Sequence, residues 1–179
     1  MTYTNKNIWQ EIACQPIEEL KQSIVTSYEK LGFINSNADL LSGFQFETGL
    51  DFGCALGRNA NHYRRYCRHL TGTDFPEMLE SYNKHTNRTL YDTLLVNDPN
   101  ILSSHRYNVV IAAFVLQHFT STELLLDTLK LLSTIGEYLY IDTRCYYENE
   151  TKTNVIQTVM DSGLFVLRDC ASPISEFLK

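Results

Sequence analysis

One stretch constrains this chain more than any other: Leu50 to Met78, LDFGCALGRNANHYRRYCRHLTGTDFPEM. An apolar run ends at Asp51, a turn carrying Gly53 and Gly57 follows, then a helix-compatible segment, and a second short run ends in Asp74. Strand, tight turn, helix and strand in that order predict one right-handed β-α-β unit.

In an open parallel sheet a ligand lies beyond the carboxyl ends of the strands. There the first turn offers bare backbone and the helix start offers free N–H groups. Gly53 and Gly57 have no Cβ to keep a ligand away. A carboxylate at Asp74, on the tip of the next strand, can accept both hydroxyls of a ribose. The unit therefore asks for a nucleoside. It does not ask for a dinucleotide: of the three glycines in G-x-G-x-x-G only Gly53 is kept, the others being Ala55 and Arg58. The phosphate loop G-x-x-x-x-G-K-[ST] is absent.

These residues resemble the class I S-adenosylmethionine-dependent methyltransferases of the small-molecule type. The family's first motif, D-x-G-x-G-x-G, reads here Asp51-Phe52-Gly53-Cys54-Ala55-Leu56-Gly57, with Ala55 for the middle glycine. Gly72 to Leu79, GTDFPEML, is similar to the motif in which an acidic residue holds the ribose and a turn opens the next helix. Asn97-Asp98 resembles the acidic position after the third strand. Tyr107 to Phe119, YNVVIAAFVLQHF, is similar to the fourth-strand pattern ending V-L-x-H. The resemblance covers Phe46 to Arg168.

It implies S-adenosyl-L-methionine as cofactor, with each role carried over by position. Asp51, Gly53, Cys54, Ala55 and Gly57 would line the methionine side, and a methyl group at Ala55 would narrow it. Asp74 would hold the ribose hydroxyls, Phe75 and Met78 would pack around the adenine, and Asp98, beside Asn97, would accept from its amino group. The Phe114 carbonyl would receive the cofactor's amine. Methyl transfer needs the acceptor positioned and at most one proton removed. His118 is the candidate base, a buried structural histidine being the other reading. Arg144, Tyr146 and Tyr147 are expected on the acceptor side or in surface loop. The base-amino N/D-P-P-Y/F tetrad of nucleic-acid methyltransferases is missing, and no P-C pair suggests cytosine carbon methylation, Cys145 alone being weak evidence for it; a small molecule or a protein side chain is the expected acceptor. A non-catalytic binding or regulatory module on the same fold is the alternative, and Ala55, a short C-terminus and the lack of an obvious base speak for it.

The rest of the chain fits an α/β fold: a Rossmann-like open, mostly parallel sheet with helices on both faces. Residues 1–45 are expected to form a helical cap and loop, and 46–179 the α/β core of a single domain. Apolar residues at three- and four-residue steps predict a helix over Pro16 to Leu31. The resemblance implies that such N-terminal helices cover the active-site mouth, where Trp9 and Tyr28 would line a substrate pocket, simple core packing being the other reading. Phe33 to Thr48 reads as a loop. Strands are expected at Phe46–Phe52, Leu70–Asp74, Thr93–Val96, Tyr107–Leu116, Glu137–Asp142 and Leu164–Arg168. Helices are expected at Arg58–His69, from Pro76, from a Thr120/Glu123 capping box through Leu132, and over Thr151–Asp161. Asp169 to Lys179, with Pro173 in the middle, leaves room only for a shortened seventh strand or none.

A net charge of −6 and a pI near 5.3 disfavour a broad nucleic-acid surface. The arginines 58, 64, 65 and 68 around the first helix read as a solvated outer face. Five scattered cysteines without a C-x-x-C pair disfavour both a disulfide framework and a zinc site, so no metal is expected. No apolar run is long enough to span a membrane and no signal peptide is evident, so the protein is expected in the cytoplasm. The sequence leaves the oligomeric state open.

Overall fold

The computed structural model describes residues 6–24, 41, 43–86, 89–119, 121–142 and 155–166, with side chains described from residue 8 to 20 in the first of these segments. Among the described residues, two short helices, α1 (Lys6–Ala13) and α2 (Ile17–Ile24), precede the sheet. Then follow β1 (Phe46–Phe52), α3 (Ala60–Tyr63), β2 (Cys67–Asp74), α4 (Pro76–His85), β3 (Thr93–Val96), α5 (Pro99–Leu102), β4 (Tyr107–Ala113), α6 (Thr122–Ile135), β5 (Gly136–Asp142) and α7 (Val155–Asp161). The five strands are all parallel, in the order β3-β2-β1-β4-β5. The chain steps outward from β1 to β2 and β3, then crosses back to place β4 on the other side of β1. That reversal opens a crevice at the carboxyl ends of β1 and its neighbours.

Strand alternation sends successive side chains to opposite faces, and each face has its own core. Leu50, Phe52, Val110 and Ala112 pack with Leu102, Leu125, Leu129, Leu132, Ile135 and Val155, so α5, α6 and α7 cover one face. Val109, Ile111, Leu70 and Cys67 pack with Ala60, Tyr63, Leu79 and Tyr82, so α3 and α4 cover the other. β4 is buried along nearly its whole length because it is central and covered on both sides. In α6 the buried residues Leu125, Thr128, Leu129, Leu132 and Ile135 recur at helical spacing, each buried leucine being worth roughly 1.5–3 kcal/mol.

Several expectations need correcting. The helix expected over Arg58–His69 is a single turn, Ala60–Tyr63, and β2 begins at Cys67 instead of Leu70. The spacing of Ala60, Tyr63 and Cys67 mimics a helical stripe, and all three are buried. Sheet pairing wins at Cys67, which is opposite Phe46, while the Phe46 N–H donates to the Tyr66 carbonyl at 2.7 Å. Nor is the arginine cluster only a solvated face: Arg64 Nε donates to the Leu90 carbonyl, and its guanidinium pairs with Asp92 at 3.0 Å. β4 stops at Ala113 because Phe114 turns to a φ of +57°, which no strand can continue. α6 is capped by Ser121, whose Oγ accepts from the Leu124 N–H at 3.4 Å, so the helix starts one residue later than the expected Thr120/Glu123 capping box, and its cap is a single serine, since Leu124 has no side-chain acceptor to complete a box. Residues 164–166 are not strand, and Val166 is 94% exposed. Thr120, Tyr28, residues 143–154 and residues 167–179 lie outside the described residues. No described helix is long and apolar enough to cross a membrane.

Candidate functional site

The turn between β1 and α3 is built from left-handed backbone. Gly53 has φ +78°, Ala55 +46° and Gly57 +74°. Alanine rarely takes such a φ, and here it is held by a specific contact: the Ala55 N–H donates to Asp74 Oδ2 at 2.8 Å. The Gly53 and Cys54 N–H groups both donate to the Thr73 carbonyl, at 2.9 and 3.0 Å, and Gly57 N–H closes the turn on the Cys54 carbonyl at 2.9 Å. The turn is thus stitched to the end of β2. On its other side a methyl group on residue 53 would lie 2.6 Å from Val115 Cγ2, so glycine is required there for space as well as for φ.

Two carboxylates flank this turn, and both are buried. Asp74, last residue of β2, accepts from Ala55 through Oδ2 and from the Phe75 N–H through Oδ1 at 2.8 Å. Each carboxylate oxygen can accept more than one hydrogen bond, so capacity remains for a ligand. Asp51, near the end of β1, accepts from the Tyr91 hydroxyl at 2.6 Å. Burial pushes Asp51 up to about 7; the Tyr91 hydrogen bond and the Arg58 charge oppose that, and the Asp74 charge adds to it. Burial likewise raises Asp74 to about 6, against the pull of its two backbone N–H donors. Neither forms an ion pair with a described residue. Two desolvated carboxylates side by side favour a ligand that brings hydroxyl donors and positive charge.

The other expected residues sit around this centre. Phe75 is the N-cap of α4, and the Asn97 N–H donates to the Asp74 carbonyl at 2.8 Å. Asp98 caps α5, with Oδ1 accepting from Asn100 N–H at 2.7 Å. Phe114 follows β4 in left-handed backbone and donates its N–H to the Asp142 carbonyl at 2.6 Å. Burial raises the Cys54 thiol well above its usual range, so the sulfur stays neutral. Met78 is 2% exposed because α1 and α2 cover it: it packs with Ala13 and Leu20, and Ala55, Trp9, Ile12 and Ile17 border that cluster. Gln10 donates to Glu77 at 2.5 Å and the Ser81 hydroxyl to the Ala13 carbonyl at 2.5 Å, fastening α1 to α4. His118 packs with its ring edge-on to Trp9, the centroids 4.8 Å apart. Sequence reasoning missed Tyr91. The available signal was Gly72 inside β2, a gap that something must fill.

The Methyltransferase domain family model matches residues 27–160. Among curated proteins, none matches this sequence closely enough to count as a relative. Several solved structures share the fold. The N-methyltransferase NodS from Bradyrhizobium japonicum, in complex with S-adenosyl-L-homocysteine, is similar at TM-score 0.52 and 17% identity over 75% of this chain and 68% of its own. A chain of the complex between the Haloferax volcanii Trm112 methyltransferase activator and a methyltransferase gives TM-score 0.61 and 16% identity over 87% and 75%. CalS10, a SAM-bound amino pentose methyltransferase from Micromonospora echinaspora, gives 0.53 and 12% over 75% and 59%. Sheet order, the glycine turn with its two carboxylates and a family match over most of the sequence agree: this chain belongs to the methyltransferase-domain family.

Proposed function

We propose that this methyltransferase moves a methyl group from S-adenosyl-L-methionine to a small-molecule acceptor. The observation that carries the reading is the pair of buried carboxylates, Asp51 and Asp74, at adjacent strand tips on either side of the left-handed turn 53–57. The donor set fits the cofactor. Asp74 would take the ribose hydroxyls, Asp51 and the backbone of Gly53 to Gly57 the amino-acid end, Phe75 the adenine face, and Asn97 and Asp98 its edge. Phe114 would offer its carbonyl to the amine. When bound, the cofactor supplies a methyl group already activated on a sulfonium. The protein's work is then orientation and exclusion of water, with His118 the candidate to take a proton from the acceptor.

The acidic balance of the chain supports a small molecule over a nucleic acid. The likeness to NodS, an N-methyltransferase, and CalS10, an amino pentose methyltransferase, makes amine-bearing acceptors the first class to screen.

Calorimetric titration with S-adenosylmethionine and S-adenosylhomocysteine tests the cofactor. Micromolar binding, about −8 kcal/mol, is expected for the native chain, and at least a roughly ten-fold loss for Asp74→Asn in a sample that still unfolds cooperatively. A folded native protein that takes up neither ligand would refute the reading.

A further inference from the structure

Tyr91 lies just before β3, two strands away from β1, yet its hydroxyl reaches Asp51. It can do so because its ring crosses β2 at Gly72. A methyl group on residue 72 would sit 3.0 Å from both Tyr91 Cγ and Cδ2. On its other side the ring meets the cofactor turn, where a methyl on Gly57 would come within 3.2 Å of Tyr91 Cε2. Tyr82 backs the ring at a centroid distance of 5.7 Å, and its own hydroxyl accepts from the Leu90 N–H at 3.1 Å, which fixes the chain just before Tyr91. Two glycines and a second tyrosine therefore leave the phenol one place to go. A pair so confined and buried is more than packing, since phenylalanine would fill the same space without the hydroxyl.

We propose that Tyr91 is a positioning residue for methyl-donor binding: its hydroxyl fixes the Asp51 carboxylate, in orientation and in charge, for the ammonium at the amino-acid end of the donor. The role rests on the cofactor reading above. The groups facing Asp51 explain why a donor is needed there. Asp74 on β2 opposes its ionisation and Arg58 in the turn supports it, while Tyr63 on α3, Cys54 and Cys67 are neutral neighbours whose own ionisation Asp51 suppresses. Tyr91 itself is pushed well above its usual range by burial, so it remains the donor of this bond. Its hydrogen bond is the largest of the influences that keep Asp51 charged.

The test compares the native protein with Tyr91→Phe in two measurements. In the ligand-free protein, carboxyl carbon NMR of Asp51 is expected to show its titration midpoint moving up by about one unit, the size of a lost hydrogen bond to a charged group. In calorimetry with S-adenosylhomocysteine, the variant is expected to bind roughly eight-fold more weakly near pH 6.5 and within about two-fold near pH 8.5, because one unit matters only while Asp51 is partly protonated. In an Asp51→Asn background the Tyr91→Phe change is expected to do nothing further to affinity. An unmoved Asp51 midpoint, or a loss of affinity that is the same at every pH, overturns the proposal. A native protein that binds no S-adenosylhomocysteine overturns the cofactor reading itself, and the role of Tyr91 with it, even where the Asp51 midpoint moves as expected.

Discussion

Gly53→Ala is the substitution that most directly tests how the turn 53–57 is held. Two penalties are separable in the structure. The φ of +78° costs an alanine roughly 1–2 kcal/mol. The new methyl group would sit 2.6 Å from Val115 Cγ2 and 2.9 Å from its Cβ, and Val115 is a stiff β-branched residue packed against the α6 side of the sheet, so relief means repacking at roughly 1–3 kcal/mol. Against these, alanine narrows the unfolded ensemble by roughly 0.4–1 kcal/mol. The net loss is about 2–3 kcal/mol, or roughly 5–10 °C in Tm for a chain of this size. Urea unfolding of Gly53→Ala, Val115→Ala and the double variant separates the two parts. Val115→Ala removes the nearer atom and leaves only the Cβ contact, so the double variant is expected to recover about 1 kcal/mol relative to the sum of the singles. The dihedral cost is expected to persist. Strict additivity would refute the reasoning, because it would mean that Val115 does not press on this turn.

Two further outcomes follow from the same site. Asp51 and Asp74 hold protons in the folded state that the unfolded chain releases, so the stability they contribute to the ligand-free protein is greatest at low pH and is lost as pH rises through about 6 and 7; urea unfolding at pH 5 and pH 8 is expected to show a fall that Asp51→Asn reduces by about 2–3 kcal/mol, and an identical fall in both proteins would refute this. Ala55→Gly relieves a φ of +46° but gives up a half-buried methyl group and adds unfolded-state freedom, so its stability is expected within about 1 kcal/mol of native while S-adenosylhomocysteine binding tightens; a large change in Tm would show that the strain or the packing has been misjudged.

What the sequence revealed and what it hid divide along a physical line. β1, β3 and the start of α4 could be read to the residue because their signals are local: an apolar run, a short, largely apolar TLLV segment, a proline suited to a first helical turn. The acidic strand tips and the turn glycines were legible for the same reason. The extent of α3 was not, since the helical spacing of Ala60, Tyr63 and Cys67 says nothing of Phe46, which claims the backbone of Tyr66 for the sheet. Tyr91, Val115 and the cover of α1 over Met78 were equally invisible. Each is a contact across strands or between distant segments, set by register and by gaps such as Gly72, and no window of sequence contains both partners.

Those long-range contacts also account for Ala55. The middle position of this turn is the one at which the chain departs from the glycine pattern it resembles, and a side chain there ought to favour another conformation. It cannot relax. Asp74 takes its N–H from the β2 side, Thr73 takes the two preceding N–H groups, and Val115 closes the β4 side against Gly53. The ends of the two strands beside β1 therefore fix the path of the turn independently of the residue at 55. The alanine methyl, placed by that path, packs beside Met78 under the N-terminal helices. A turn shaped by its surroundings can accept an alanine at a cost of about 1 kcal/mol, where an isolated loop would refold around it. The shape of this turn accordingly depends more on Asp74 and Val115 than on the missing glycine.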